Sequence, residues 1–168
     1  MSMTDTYAER FDRLEALLGD AIDNDRPFNL DDWIAIDRFE PECGTVCCAM
    51  GLAMLDPWFQ AQGLRTFAYA YAYDSTEDGG EFVAIPDATV EKLAEAASRN
   101  RKLGASLEVS PMFNGHRDFN AAATLFGIAP TAAMFIFSPQ SYPSETPATP
   151  DDVLAHIRRV RNGQEWGI

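Results

Sequence analysis

The chain has 168 residues, of which 46% are hydrophobic, and its formal net charge is −13. This length and apolar content predict a single folded domain, residues 1–168, with a substantial hydrophobic core. The acid excess disfavours direct nucleic-acid binding, because phosphate contacts require clustered Lys and Arg.

The acidic residues are unevenly distributed along the chain. Residues 1–42 hold 12 acids against 4 bases, residues 74–95 hold 7 against 1, and residues 96–168 hold 6 against 7. Solubility is the simpler explanation of this excess, and attraction of a basic protein partner is the alternative. On that alternative, the candidate partner-binding residues are Asp74, Glu77, Asp78 and Glu81.

The first residues are polar and acidic, and they lack the basic segment and apolar run of a secretory signal. The chain has three cysteines, an odd number. Both features predict a cytoplasmic protein with free thiols.

Apolar residues recur at helical spacing near the start of the chain and predict an amphipathic helix over about 6–23. Thr6 and Glu9 fit a capping box at its start. Farther on, Asn29 is expected to cap a short helix that ends at Ile36.

All three cysteines lie between residues 43 and 48, directly before an uncharged apolar run. Thr45 is a suitable N-cap, and Asp56-Pro57 should end a helix, because the residue before proline avoids the helical region. We therefore predict a buried central helix at about 45–55, around which a compact, mostly α domain is organised.

Residues 66–73 alternate aromatic residues with alanine, which is the period of a strand. A polar turn and a second apolar run follow, so we predict an inserted β-hairpin at about 64–85. The row of tyrosines in the first strand is expected to pack across the hairpin. A small-ligand platform beside that row is a weaker alternative.

The rest of the chain is predicted to be helical, with an irregular stretch at 104–117 that contains His116. One helix is expected at 86–103, beginning at Pro86, and another after Thr149-Pro150. Between them, residues 119–144 carry no charge. Because Gly127 and Pro130 interrupt this stretch, we predict two short buried helices in a helical hairpin, at 119–126 and 130–137, and not a membrane span.

The order Cys-Gly-Thr-x-x-Cys-x-x-Gly, formed by residues 43–51, resembles a group of small uncharacterised bacterial and phage proteins. Those proteins also have a Phe-x-x-x-x-Trp segment, here Phe28 to Trp33, and similar segments at 125–128, 134–139 and 149–158. The resemblance covers both ends of the chain but not the hairpin. It implies a compact, mostly helical domain without a known activity. Cys47 departs from the pattern, since the others carry a small residue without a thiol there.

The thiols allow two interpretations. As core residues, they would simply fill space, because cysteine is among the residue types most often buried. As a cysteine-dependent hydrolase or transferase, the protein would use Cys47 or Cys48 as the nucleophile and His116 as the base. Asp118 or Asn114 would then orient the histidine.

A structural zinc is disfavoured, although Cys43, Cys47, Cys48 and His116 supply four ligands. Adjacent residues of a helix point about 100° apart, so Cys47 and Cys48 do not converge. No cofactor is expected. The second histidine, His156, is predicted to be a solvated or interface side chain on the last helix.

We therefore predict a small acidic soluble protein that acts by protein–protein interaction without catalysis, associated with phage or mobile elements. Its partner is a protein, and neither nucleic acid nor membrane is expected to bind. The alternative is the cysteine-dependent hydrolase or transferase. The residues predicted to be buried together are Val46, Ala49, Met50, Ala53, Leu125, Phe126, Phe135 and Ile157.

Overall fold

The structure is a computed structural model that describes residues 5–34, 47–72, 82–85, 89–102, 105–143 and 145–164. Its described part is mostly α-helical with one antiparallel sheet, as predicted. The helices are α1 (Asp5–Asp23), α2 (Ala49–Leu55), α3 (Pro57–Ala61), α4 (Val90–Lys102), α5 (Asp118–Phe126), α6 (Pro130–Phe137) and α7 (Pro150–Arg161). The strands are β1 (Arg65–Ala72), β2 (Phe82–Ile85), β3 (Ala105–Phe113) and β4 (His116–Arg117).

Helix α1 confirms the predicted amphipathic helix. Phe11, Leu14 and Leu18 are fully buried on its inner face, whereas Ile22, at the end of the same stripe, is exposed. The helix already includes Asp5, so Thr6 lies inside it and the predicted capping box is wrong. The apolar spacing therefore located the helix more reliably than the cap.

One basic residue of α1 faces inward. Arg10 is buried, and its Nη1 donates to the backbone oxygen of Leu125 at 2.7 Å. This oxygen lies in the last turn of α5, where the helix dipole favours a cation and α5 itself has no basic residue. Burial lowers the pKa of Arg10. Arg10 therefore stabilises the end of a helix 115 residues away in sequence.

The central helix α2 is buried as predicted, but it begins at Ala49 rather than near Thr45. It ends at Leu55, directly before Asp56, as the Asp-Pro signal predicted. The Asp56 carboxylate then accepts from the amides of Trp58 and Phe59 and caps α3. The second carboxylate oxygen pairs with Arg13 at 2.5 Å. Asp56 thus ends one helix, begins the next and joins both to α1.

The predicted core is confirmed for most of its members. Among the eight residues, Phe135 is only partly buried and packs against the core, and Val46 lies outside the described residues. The other six are fully buried in one cluster: Ala49, Met50, Ala53, Leu125, Phe126 and Ile157.

The predicted short helix after Asn29 is wrong for the described residues, since residues 24–34 form turns and isolated bridges. The side chain of Asn29 accepts from the amide of Asp31 at 2.7 Å, which closes a tight turn instead of capping a helix. Backbone groups around this turn pair with Cys47, so tertiary partners replace the hydrogen bonds of a helix.

The predicted hairpin is confirmed, because β1 pairs antiparallel with β2 in the register Thr66–Ile85 to Tyr69–Phe82. However, it is part of a four-stranded sheet in the order β2-β1-β3-β4. The prediction that 104–117 is irregular is therefore wrong for the described residues 105–117: β3 pairs with β1 over the full length of β1, and β4 returns along β3.

The turn between β3 and β4 contains a signal that could have identified this second hairpin. Asn114 and Gly115 both have positive φ, 48° and 80°, and Phe113 pairs with His116 across them. A two-residue Asn-Gly turn of this kind is a strong local indication of a β-hairpin.

The sheet covers the helices with one face only. Thr66, Ala68, Val109 and Phe113 are buried at alternate positions of β1 and β3. Among the positions between them, Phe67 and Met112 are half-buried and Glu108 is exposed. Small side chains on the inner face of β1 allow the sheet to approach the helices closely.

Helices α5 and α6 confirm the two predicted short buried helices. Gly127 ends α5 in the left-handed conformation with φ 64°, and Pro130 begins α6. The chain turns by 107° between them, so they form a corner and not the predicted helical hairpin. No single helix of the described residues is long and apolar enough to span a membrane. Only when α5 and α6 are taken together is their length and apolar content sufficient.

Helix α4 begins at Val90, and the amide of Lys92 donates to the hydroxyl of Thr89, three residues earlier, at 3.3 Å. The predicted start at Pro86 lies outside the described residues. Helix α7 has the predicted start: Thr149 and Asp152 form a capping box around Pro150. Its Arg161 bridges Asp12 and Glu15, which attaches α7 to α1.

Candidate functional site

Two of the segments from which the sequence predicted a resemblance, Phe28–Trp33 and the part of Cys43–Gly51 that the structure describes, contact each other. The backbone oxygen of Trp33 accepts from the amide of Cys48 at 3.3 Å, and the Sγ of Cys48 lies 3.6 Å from the same oxygen. Gly51 also approaches this oxygen closely, since a Cβ atom built on Gly51 would lie 1.8 Å from it. The Phe-x-x-x-x-Trp segment and the Cys-x-x-Gly pair therefore form one packing unit.

Cys48 is the N-cap of α2. Its Sγ accepts from the amide of Gly51 at 3.4 Å, which satisfies one of the free donors of the first helical turn. The thiol can at the same time donate to the Trp33 oxygen. Burial raises the pKa of Cys48 to about 12, despite the hydrogen bonds of the first turn that lower it. The thiol is therefore protonated at neutral pH.

Cys47 is held between two parts of the preceding turn. It forms isolated bridges with Phe28 and Ile34, and its oxygen accepts from the amide of Asn29 at 3.3 Å. Its side chain is buried, and burial followed by the neighbouring Cys48 raises the pKa of the thiol strongly. Both thiols are free.

His116, the proposed base, lies at the exposed start of β4. The hydrogen bonds of the Cys48 thiol go to Trp33 and Gly51, and no hydrogen bond joins either described thiol to this histidine. The proposed orienting residues have other roles: Asn114 forms the β3–β4 turn, and Asp118 accepts from Ser110. Buried, protonated thiols are poor nucleophiles, so this arrangement weighs against the hydrolase hypothesis.

Cys43 and the partner-binding candidates Asp74, Glu77, Asp78 and Glu81 lie outside the described residues. Within the described ranges, no three His, Cys, Asp or Glu side chains gather closely enough to hold a metal ion.

The second histidine is part of an aromatic stack, which the sequence prediction of a solvated or interface residue missed. The ring of His156 lies between those of Phe135 and Tyr142, with centroids at 4.0 and 4.3 Å. Its Nδ1 is 2.9 Å from the backbone oxygen of Phe135. Burial lowers the pKa of His156, although the contact with that oxygen opposes the shift. The neutral ring is therefore the form that fits this stack.

Tyr142 connects this stack to an open cavity of about 260 Å³. The cavity lies between the turn at 29–31 and the loop at 139–148, and three prolines, Pro139, Pro143 and Pro147, line one side of it. Leu30 and Asp31 line the other side. No pattern in the sequence indicated this cavity, because its two walls are more than 100 residues apart.

The surface of residues 5–34 is strongly acidic. Two of its exposed carboxylates are paired, Asp12 with Arg161 and Asp20 with Arg26. The other exposed acids of this segment form no ion pair with a described residue: Asp5, Glu9, Asp23, Asp25, Asp31 and Asp32. We call these eight residues the amino-terminal acidic surface.

Fold and site define an acidic, α-rich protein with buried thiols and a small open cavity. No family model, curated protein or solved structure matches the chain. The resemblance to bacterial and phage proteins therefore stays a prediction.

Proposed function

We propose that this protein is a non-catalytic binding protein that recognises a basic protein partner through its amino-terminal acidic surface. The observation that carries the proposal is the set of six exposed carboxylates without a described ion-pair partner in residues 5–34. Exposed like charges of this kind attract a basic surface over a distance and speed its association.

The state of the thiols supports a role without catalysis. Cys47 and Cys48 are buried and have raised pKa values, whereas a catalytic cysteine requires a thiolate at neutral pH. The Cys48 thiol already has a structural role as the cap of α2. We infer from the two free thiols that the protein works in a reducing compartment such as the cytoplasm.

The association with phage or mobile elements rests only on the sequence resemblance, which covers Phe28–Trp33, Cys43–Gly51 and the segments at 125–128, 134–139 and 149–158. A role of Asp74, Glu77, Asp78 and Glu81 in the same interaction is part of the proposal and rests on their sequence alone. These acids would extend the acidic surface if they bind the same partner.

The proposal is tested by affinity capture from the native host, followed by binding measurements on the purified partner. We expect a basic protein whose affinity falls steeply between about 0.1 M and about 1 M salt, because the Debye length shrinks from about 10 Å to about 3 Å. The double variant Asp23→Asn/Asp25→Asn should weaken binding by roughly threefold to tenfold.

A matched control removes two charges from the nearly balanced part of the chain. Glu108→Gln/Asp151→Asn changes the net charge equally, and both residues are exposed. It should leave the affinity within about twofold of the parent. An affinity that does not change with salt concentration, or that falls equally in both double variants, would refute recognition by the amino-terminal acidic surface.

A further inference from the structure

Several residues that line the cavity between 29–31 and the segments 139–143 and 146–148 have restrained conformations. Proline fixes its own φ, and three prolines line one side. The hydroxyl of Tyr142 donates to the backbone oxygen of Ile136 at 2.6 Å, and its ring stacks on His156. Leu30 is buried, with an exposed fraction of only 7%. Residues that are already restrained lose little conformational entropy when a ligand packs against them.

The size of the cavity suits one side chain rather than a cofactor. Its volume of about 260 Å³ is below the range of about 300–1,000 Å³ that is typical of small-molecule sites. The lining combines apolar residues, such as the prolines and Leu30, with the polar side chains of Asn29 and Thr146 and one carboxylate, Asp31. The backbone of Asp31 is held in a tight turn, because its amide donates to the side chain of Asn29, and the carboxylate itself is exposed.

A cavity whose lining combines apolar residues with polar groups and the carboxylate of Asp31 matches a long cationic side chain. The aliphatic stem of lysine or arginine packs against apolar walls while its charged end stays at the polar rim. Asp32, the next residue, is also exposed and adds a second negative charge beside Asp31. An acidic ligand would be repelled here, and a purely apolar one would leave the carboxylate unused.

We propose that this cavity receives a single lysine or arginine side chain of the basic partner, with its charged end paired to Asp31. The inference rests on the proposed function and deepens it, since it adds a defined anchor to long-range attraction. Buried anchors of this kind supply a large share of the affinity of protein interfaces, whereas exposed rim charges mainly affect association rate.

The direct test is an NMR titration of the ¹⁵N-labelled protein with Nα-acetyl-lysine N-methylamide. The matched probe is the norleucine analogue, which keeps the aliphatic stem and lacks the charge. We expect saturable shifts at the amides of Leu30, Asp31, Tyr142 and Thr146. The norleucine probe should bind at least fivefold more weakly, because it cannot pair with the carboxylate.

Two variants complete the test. Asp31→Asn should weaken the lysine probe by roughly fivefold, whereas Glu108→Gln, which removes one exposed charge from β3, should stay within about twofold. Equal binding of both probes, equal effects of both variants, or shifts that lie away from the cavity would each overturn the proposal.

The outcome for the partner separates this inference from the proposed function. If partner binding depends on salt and on Asp23 and Asp25 but not on Asp31, the acidic surface is the recognition site and the cavity is not an anchor. If it depends on none of these, both proposals fail. If Asp31→Asn slows association no more than Glu108→Gln but speeds dissociation, the cavity acts as the anchor.

Discussion

The backbone oxygen of Trp33 occupies the space into which any side chain at Gly51 would project. A Cβ built on Gly51 would lie 1.8 Å from that oxygen and 2.7 Å from the Cβ of Cys47. Glycine within a helix costs about 1 kcal/mol relative to alanine, so its presence in α2 needs a reason. The reason is this close approach, which lets the turn at 28–34 lie against the central helix.

We expect Gly51→Ala to lower the free energy of unfolding by about 3 kcal/mol, because a backbone oxygen cannot move aside as a flexible side chain can. The measurement is urea denaturation followed by circular dichroism. Gly19→Ala is the control, since a Cβ at Gly19 in α1 meets nothing within 4 Å. That variant should be stabilised by about 0.5–1 kcal/mol. If both variants behave alike, the close approach at Gly51 is not important for stability.

The cap made by Cys48 leads to a second prediction. Cys48→Ser keeps an acceptor for the amide of Gly51 and a donor for the oxygen of Trp33, whereas Cys48→Ala removes both. We expect the alanine variant to lose about 1–2 kcal/mol of stability and the serine variant clearly less. Thermal melts of both variants at neutral pH measure the difference. Equal losses would mean that only the volume of the side chain matters.

The buried thiols predict how stability depends on alkaline pH. Burial raises both folded pKa values above the ordinary value of 9.0, to about 12 for Cys48. At a pH between the ordinary and the raised pKa of a thiol, the unfolded chain loses a proton that the folded chain retains. The stability that protonated thiols contribute is therefore complete below about pH 9 and falls as the pH rises toward 12.

Thiol labelling at neutral pH measures whether the two thiols are buried and protonated in the folded protein. We expect Cys47 and Cys48 to react slowly in the folded protein and quickly after denaturation, and His116→Ala to leave both rates unchanged. Rapid labelling at about pH 6 that disappears in His116→Ala would restore the hydrolase hypothesis.

Thermal melts test the alkaline pH dependence. Between pH 8 and about 11, the melting temperature of Cys48→Ser should fall less than that of the parent.

His156 predicts a loss of stability toward acid. Its pKa is lowered from 6.5, chiefly by burial, so the unfolded chain takes up a proton before the folded chain does. The contribution is complete above about pH 6.5 and is lost as the pH falls through the lower folded value. Asp152 and Arg159 act on this ring in opposite directions.

We expect His156→Phe to flatten the melting temperature between about pH 5 and 6.5, because phenylalanine can stack between Phe135 and Tyr142 without a proton to gain. His116→Phe is the matched control, since His116 is exposed on β4 and no ring of the described residues stacks on it. It should keep the slope of the parent. An unchanged slope in His156→Phe would remove His156 from the explanation of acid sensitivity.

The sequence by itself determined the elements whose signals are local. The apolar stripe of α1, the Asp56-Pro57 end of α2, the alternation of β1 and the Thr149-Pro150 start of α7 each act within a few residues, and the structure has all four. The uncharged run of α2 also predicted its burial, because a helix without a polar face can only be stable inside the protein.

Only the tertiary structure decided features that depend on distant partners. Strand β3 exists because β1 supplies its hydrogen bonds, and residues 28–34 turn back because Cys47 and Cys48 accept and donate there. His156 is stacked only because α6 and the loop at 139–143 bring Phe135 and Tyr142 to its two faces. The cavity likewise depends on the tertiary structure, because its carboxylate and its prolines come from opposite ends of the chain. A backbone group or side chain takes whichever partner the packed core places beside it, and local sequence does not contain that partner.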